Sequence, residues 1–338
     1  MKTNLLNLSV VGLFLAAGSM LQAEDFAQAT AIKQTSMTQG FAQTALPVLH
    51  RATASSQAQV SAALLAKLCA GCAVTKTAQG ANLHISGENL DLSISPDATS
   101  ADFRNLSVQA KAHSLAKPLE EKMSLTALEQ AGRAFIASNL ADVITLGAGE
   151  QMAALSTDYR IEGLQNVSTG AVTRSVAANR VVFGRTLNGV PVVGNGSRVV
   201  VTFANDGSVE SFHYDWPKYE TATATAQGLV SASSILARVQ QVVGTRTGVT
   251  PTFTVQVPSL TAAAAGAVDL NPGTKLQSLQ CGYYDPGAAA GYAEVQPGCV
   301  YHVVYADTTG IRQGYSGAVP GGLRFEVDAK WPETQVLK

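Results

Sequence analysis

Between Asn188 and Trp216 the sequence reads NGVPVVGNGSRVVVTFANDGSVESFHYDW. Asn-Gly, Gly-Asn-Gly and Asn-Asp-Gly interrupt runs of valine and phenylalanine, and that spacing leaves room only for short strands. Asn188-Gly189 is the strongest of these turn signals, because a two-residue type I′ hairpin needs φ > 0 at both central positions. With the run before it, the stretch predicts strands at Val181–Thr186, Val190–Val193, Arg198–Phe203 and Val209–Tyr214. Gly194 opens the second turn and Asp206-Gly207 the third. Pro191 has no N–H to give a ladder, so its strand is expected at an edge or beside a bulge. Val190, Pro191, Val192 and Val193 are therefore a candidate binding surface, where backbone groups pair with an incoming chain.

Helical patterns alternate with these runs. Ser124 is an N-cap for a helix to Leu140 whose Leu125, Leu128, Phe135 and Ile136 share a face. Ser231 caps a second helix to Val243, with Ile235, Val239 and Val242–Val243 on one face and Gly244 as its stop. Strands are expected after it at Thr252–Val257, Leu276–Tyr284, Val300–Ala306 and Leu323–Asp328, with a surface loop over residues 261–273. Nearer the N-terminus, Val60, Leu64 and Leu68 predict a helix over Gln57–Leu68. Leu83, Ile85, Leu90, Leu92 and Ile94 alternate about a Gly-Glu turn as a hairpin, and Leu106, Val108 and Ala110 add a third strand. Asp158–Val167 reads as strand or loop. The expected class is α+β, with antiparallel sheets each packed on a helix, preceded by a small N-terminal α+β unit.

The first residues, MKTNLLNLSVVGLFLAAGSMLQA, combine a lysine, an apolar core and a small-residue cleavage site. This predicts a secretory signal peptide over residues 1–23, too short and polar for a spanning helix. The rest divides into a lead-in and small unit at 24–123, a unit at 124–220 and a unit at 221–338. Charged residues make up 14% of the chain, the formal net charge is −1 and there is no basic tract. That excludes the electrostatic footprint of a nucleic-acid binder. Export places the four cysteines in an oxidising compartment. Cys281 and Cys299 flank a Gly/Pro/Ala loop between strand-like runs, so a disulfide across a hairpin base is expected. Cys69-Ala-Gly-Cys72 follows a helix, where the dipole disfavours a thiolate, so a small structural disulfide or two free thiols is preferred to a redox pair.

Asn188, Gly189, Pro191, Val192, Gly194, Val199–Val201, Asp206, Gly207 and Val209 give the pattern nGvPVvG…vvv.f..dGsV. After a helix, this is similar to the propeptide module of secreted fungalysin and thermolysin metalloproteases. The following helix and strands, ending in Val327-Asp328-Ala329, resemble a PepSY domain, which comes next in those propeptides. The resemblance covers about residues 124–337 and implies cystatin-like α+β modules. One departure is that the strand before the turn reads Phe183-Gly184-Arg185 where the family has aromatic-Gln. Another is that no HExxH occurs, so the zinc site of such proteases cannot be built. The resemblance is thus to a propeptide without its enzyme.

Other catalytic patterns are incomplete. His50, His84, His113, His213 and His302 are scattered without metal-ligand spacing, so neither metal nor cofactor is expected. Gly314-Tyr315-Ser316-Gly317 begins like a nucleophile elbow, but Ala318 stands where that motif needs glycine, and a surface loop explains it better. Asp285, Glu294, Asp307, Glu326 and Asp328 read as solvated turn carboxylates. Asn105, Asn166 and Asn195 begin glycosylation triplets. The expectation is a secreted or periplasmic non-enzymatic protein without a stable membrane span. The resemblance implies a polypeptide partner such as a secreted protease, with this chain acting as inhibitor, folding helper or envelope regulator. The alternatives are a structural or ligand-binding envelope protein and a secreted hydrolase with an unfamiliar site.

Overall fold

The computed structural model describes residues 41, 43–52, 55–165, 168–222, 227–247, 268–271, 274–288, 294–306 and 312–322. The expected signal peptide, the strands at Thr252–Val257 and Leu323–Asp328, Val327-Asp328-Ala329 and the triplet at Asn166 lie outside them.

The N-terminal part contains β1 (Ala45–Leu46), β2 (Leu49–Ala52) and helix α1 (Gln57–Leu68), then β3 (Val74–Gln79), β4 (Asn82–Gly87), β5 (Leu90–Ile94) and β6 (Ser100–Asn105). Short helix α2 (Leu106–Lys111), β7 (Lys117–Pro118) and helix α3 (Leu125–Phe135) follow, the last continuing through a π turn at Ile136–Leu140. Next come β8 (Glu150–Gln165), β9 (Val172–Leu187), β10 (Val190–Gly194), β11 (Arg198–Phe203), β12 (Val209–Asp215), β13 (Lys218–Thr221) and β14 (Gln227–Gly228). Helix α4 (Ala232–Thr247) precedes β15 (Val268–Asn271), β16 (Thr274–Asp285), β17 (Glu294–Ala306) and β18 (Arg312–Pro320).

The expectation of separate antiparallel sheets, each on its own helix, is corrected here. The fold is mostly β, and 16 strands form one continuous mixed sheet. Its order is β13-β2-β17-β16-β10-β9-β11-β12-β6-β5-β4-β3, with β15 on β16, β18 on β17, and β7 and β8 on β9. The junction is β10. It pairs antiparallel with β9 through Val190 and Pro191, then parallel with β16 through Val192–Tyr283 and Val193–Tyr284. Hairpin signals report strands adjacent in sequence, whereas a parallel pair between distant segments has no local signature. β2 makes the second junction, pairing with β13 on one edge and β17 on the other. Only Trp216 and Pro217 separate β12 from β13, so the order from β13 to β12 begins and ends on one chain segment. The strands between enclose Leu46, Leu49, Leu187, Val190, Val192, Tyr283 and Val295.

Two larger cores flank that interior. α1 and α3 cover one face of β4–β6, β12, β11 and β9, burying Leu64, Leu128, Leu140, Phe183, Phe212 and Tyr214. α4 covers β16–β18 with Ile235, Leu236, Val239 and Val243 around the Cys281–Cys299 disulfide. Those cysteines are directly opposed across β16 and β17. Capping chemistry sets the helix starts. The Ser124 hydroxyl accepts from the Ala127 amide at 3.2 Å, and Ser231 from Ser234 at 3.3 Å. Ser56 and Gln59 form a capping box at the start of α1.

Three local expectations change. Leu106, Val108 and Ala110 lie in α2 rather than a strand, because the Asn105 side chain accepts from the Val108 amide at 3.2 Å and caps a helix. α4 runs past Gly244 to Thr247. The penalty of about 1 kcal/mol for a helical glycine is smaller than what burying the α4 face supplies. Val268–Asn271, expected as loop, is β15.

Gly132 marks where α3 presses on the sheet. A Cβ there would stand 2.7 Å from both Phe183 Cε2 and Val181 Cγ1. Alanine would gain about 1 kcal/mol of helix propensity, but overpacking a core ring typically costs 1–3 kcal/mol. Gly132→Ala is therefore expected to lower stability by about 1–2 kcal/mol in urea denaturation. An unchanged or raised midpoint would show that α3 moves away freely.

Candidate functional site

Where β2, β12, β13 and β16 meet, the interior holds charges rather than hydrocarbon. Arg51 on β2 donates through Nη1 to both oxygens of Asp285, at 2.5 and 2.7 Å, and through Nη2 to Asp215 Oδ1 at 2.5 Å. Nη2 also reaches the Thr99 hydroxyl at 3.3 Å. The Arg51 and Asp215 side chains are 5% exposed and Asp285 is fully enclosed. Each carboxylate has further donors. The Gly287 amide reaches Asp285 Oδ1 at 2.9 Å, the Tyr219 hydroxyl donates to Asp285 Oδ2, and the Ala288 amide reaches Asp215 Oδ2 at 2.6 Å.

Burial and charge act on the members of the cluster in different directions. Burial alone would lower the Arg51 pKa, but Asp285 and Asp215 outweigh it and raise it above the ordinary arginine value. Burial pushes the Asp215 carboxyl upward, with Arg51 and the Ala288 amide offsetting part of the rise. Burial and then the Asp285 charge push the Tyr219 phenol well above its usual value, so it remains a donor. Backbone geometry makes room for this. Gly194 has φ +102°, a Cβ on it would meet the Asp285 carbonyl oxygen at 2.3 Å, and one on Gly196 would meet Asp285 Cγ at 2.1 Å.

A second guanidinium lies alongside. Arg185 donates to both Glu150 oxygens at 2.6 Å and to the Pro217 carbonyl at 2.6 Å. It sits 4.8 Å from the ring centres of both Trp216 and Tyr219. Tyr219 links the two groups, since its hydroxyl is 2.7 Å from Ser197 Oγ, which Arg185 Nη1 approaches at 3.5 Å.

Of the turn residues singled out in the sequence, Asn188, Gly189, Asp206 and Gly207 lie in turns, whereas Gly194 is the last residue of β10 and pairs with Asp285. Asn188 and Gly189 have φ of 50° and 80°, and Gly207 has φ 87° beside an Asp206 carboxylate that accepts from the Ser208 amide at 2.9 Å. The candidate binding strand is placed differently. Val190, Val192 and Val193 are buried, Pro191 is exposed, and β10 runs between β9 and β16 rather than along an edge. Pro191 is paired with Thr186 of β9, and the pairing of β10 with β16 begins only at Val192, so no partner on β16 calls for the missing N–H. The Pro191 carbonyl packs where a Cβ of residue 282 would be, and residue 282 is glycine. A long flank without a strand partner among the described residues is found instead on β8, whose 16 residues are paired in the sheet with β9.

Asp285, read as a solvated turn carboxylate, is the most enclosed member of the cluster. The signal available was its position in YYDPG, closing an apolar strand. Arg51 and Asp215 carried no comparable signal. Gly314–Gly317 lies on β18 rather than in a loop, and Gly317 leaves space for the Tyr301 hydroxyl. Cys69 and Cys72 are bonded to each other at the end of α1. Among the described residues, no group of three or more His, Cys, Asp or Glu side chains could hold a metal ion. No helix there is long and apolar enough to cross a membrane.

The helix-free face of the sheet carries His84, Ser93, Asp102 and His213 in one cross-strand row. His213 Nδ1 is 2.8 Å from Asp102 Oδ1. Burial would lower the His213 pKa, but the Asp102 hydrogen bond and charge outweigh it and raise it.

Two measurements test these assignments. Arg51→Ala leaves two buried carboxylates without their cation and is expected to cost about 3–5 kcal/mol in urea denaturation. Arg51→Lys should recover only part of this, because an ammonium cannot fork to both partners. For His213 the folded pKa lies above the unfolded one. Its contribution is therefore fully present below the ordinary value of 6.5 and is lost as pH rises through the folded value. The ring is half-exposed, so the effect should stay under about 1 kcal/mol, and Asp102→Asn should remove it.

No family model and no curated protein sequence matches the chain. Among solved structures, an uncharacterized protein from Eubacterium rectale is similar over 87% of each chain, at 10% identity and a TM-score of 0.46. That likeness carries no functional argument.

Proposed function

We propose that the chain is an exported, non-enzymatic protein that binds a polypeptide by strand addition along the outer edge of β8. The observation that carries this reading is that, among the described residues, no second strand pairs with the outer edge of that 16-residue strand. An extended peptide laid along it gains main-chain hydrogen bonds without needing a constellation of special side chains.

Edge chemistry supports the choice. Natural edges are commonly guarded by charges held out toward an approaching strand. On β8 two such charges turn inward. Asp158 pairs with Arg180 of β9, and Arg160 reaches Glu210 of β12 at 2.6 Å. Farther out, Ile161 is 39% and Val172 57% exposed, an apolar pair on the same face of the β8–β9 hairpin. Two disulfides fit an oxidising compartment, consistent with the signal-like N-terminus. The propeptide-like pattern at Asn188–Val209 supports a polypeptide partner such as a secreted protease.

Alternate backbone N–H groups of a strand point to opposite edges. Of Glu162→Pro and Gly163→Pro, one therefore removes a β8–β9 hydrogen bond and loses stability. The other removes an outward N–H and should keep stability while weakening capture of secreted polypeptides at least tenfold. Pull-down with the tagged chain, beside thermal denaturation, reads both. Equal capture by both folded variants, or turnover of a hydrolase substrate that one point substitution abolishes, would sink the reading.

A further inference from the structure

We infer that the slot between β13 and β17 is a strand-acceptor site for an extended polypeptide bearing an arginine two residues after a buried leucine. β2 is its resident occupant. β2 has four residues and is hydrogen-bonded on both edges. Its partners are remote, since Asp215 and Asp285 lie 164 and 234 positions from Arg51. β2 thus belongs to no hairpin and enters the sheet as an added strand does.

The slot reads side chains in alternation. Leu49 and Arg51 face inward, His50 faces solvent, and Leu46 and Val48 are buried just before them. Leucine and valine alone would suit many β surfaces of this chain. The two carboxylates add an address. A strand lacking the guanidinium would bury both acids without a cation, which disfavours it more strongly than the intact pair favours the correct strand. Lysine does not substitute, because Arg51 uses separate nitrogens for Asp285 and Asp215.

The receiving groups are held independently of the arginine. Gly287 and Tyr219 fix Asp285, Ala288 fixes Asp215, and Gly196 donates its amide to the Asp285 carbonyl at 2.9 Å. A site whose acceptors are already oriented loses less freedom when a strand arrives. This slot is separate from the β8 edge, so either assignment can fail while the other stands.

The test uses the full chain carrying Arg51→Ala, titrated with a fluorescent peptide of residues 45–52, ALPVLHRA. Saturable binding is expected, at least tenfold weaker for the peptide with alanine in place of arginine, and at least tenfold weaker for the native chain, whose slot is filled. Whichever of Glu162→Pro and Gly163→Pro keeps stability should leave this binding unchanged. If Arg51→Ala does not fold, the native chain cleaved at a protease site introduced at residues 53–55 serves instead. There, labelled peptide should replace the released strand and its alanine version should not. No saturable binding to a folded form, or equal binding of the two peptides, overturns the inference.

Discussion

One guanidinium holds together strand ends from across the chain. Arg51 reaches Asp215 at the end of β12 and Asp285 at the end of β16, and its strand is flanked by β13 and β17. Three enclosed charges are an expensive way to fill space, and apolar residues of similar volume often stabilise a core equally well. What the charges add is uniqueness. Valine- and leucine-rich strands slip in register readily wherever both faces accept hydrocarbon. An arginine that must meet two fixed carboxylates permits one position only.

That constraint acts where one chain segment enters the strand order twice. The segment 209–221 contributes β12 to one end of an eight-strand path and β13 to the other, turning at Trp216-Pro217. Arg185 packs on Trp216 and Tyr219 at this turn and donates to the Glu150 carboxylate at the start of β8. The two arginines therefore both hold the same bend, linked through Tyr219 and Ser197. Gly194 and Gly196 belong to this arrangement as much as the charges do, because side chains there would occupy the space of Asp285.

What was legible in the sequence follows from the range of each interaction. Asn188-Gly189, Asp206-Gly207, Ser124 and Ser231 act within a few residues, and the turns and helix starts they mark are present. Cys281 and Cys299 were legible because the loop between them is short and strands flank it. The joining of β10 to β16 and the insertion of β2 depend on groups far apart in the chain, and no local pattern encodes them. Pro191 misled for a related reason. A missing N–H suggests an edge, but the pairing with β16 begins one residue later, at Val192, so the strand sits inside. Asp285 looked solvated because turn aspartates usually are; its enclosure depends on Arg51, which the lead-in supplies.

The same strand order decides where backbone is left unpaired among the described strands. Strands inside the path have both flanks engaged, so unpaired backbone is displaced to outlying members such as β3 and β8. These two differ in chemistry. β3 has six residues, and Thr75, Lys76, Thr77 and Gln79 are exposed along it, the polar and cationic dressing that discourages another chain from adding. β8 is far longer, directs Asp158 and Arg160 back onto its own sheet, and leaves Ile161 with Val172 of β9 toward solvent. A strand guarded only by groups already committed elsewhere loses little when a neighbour arrives. The same reasoning separates the two polypeptide sites assigned to this chain. At β8 the backbone is offered with weak side-chain selection, whereas at the β13–β17 slot the backbone is already paired and Asp215 and Asp285 do the selecting.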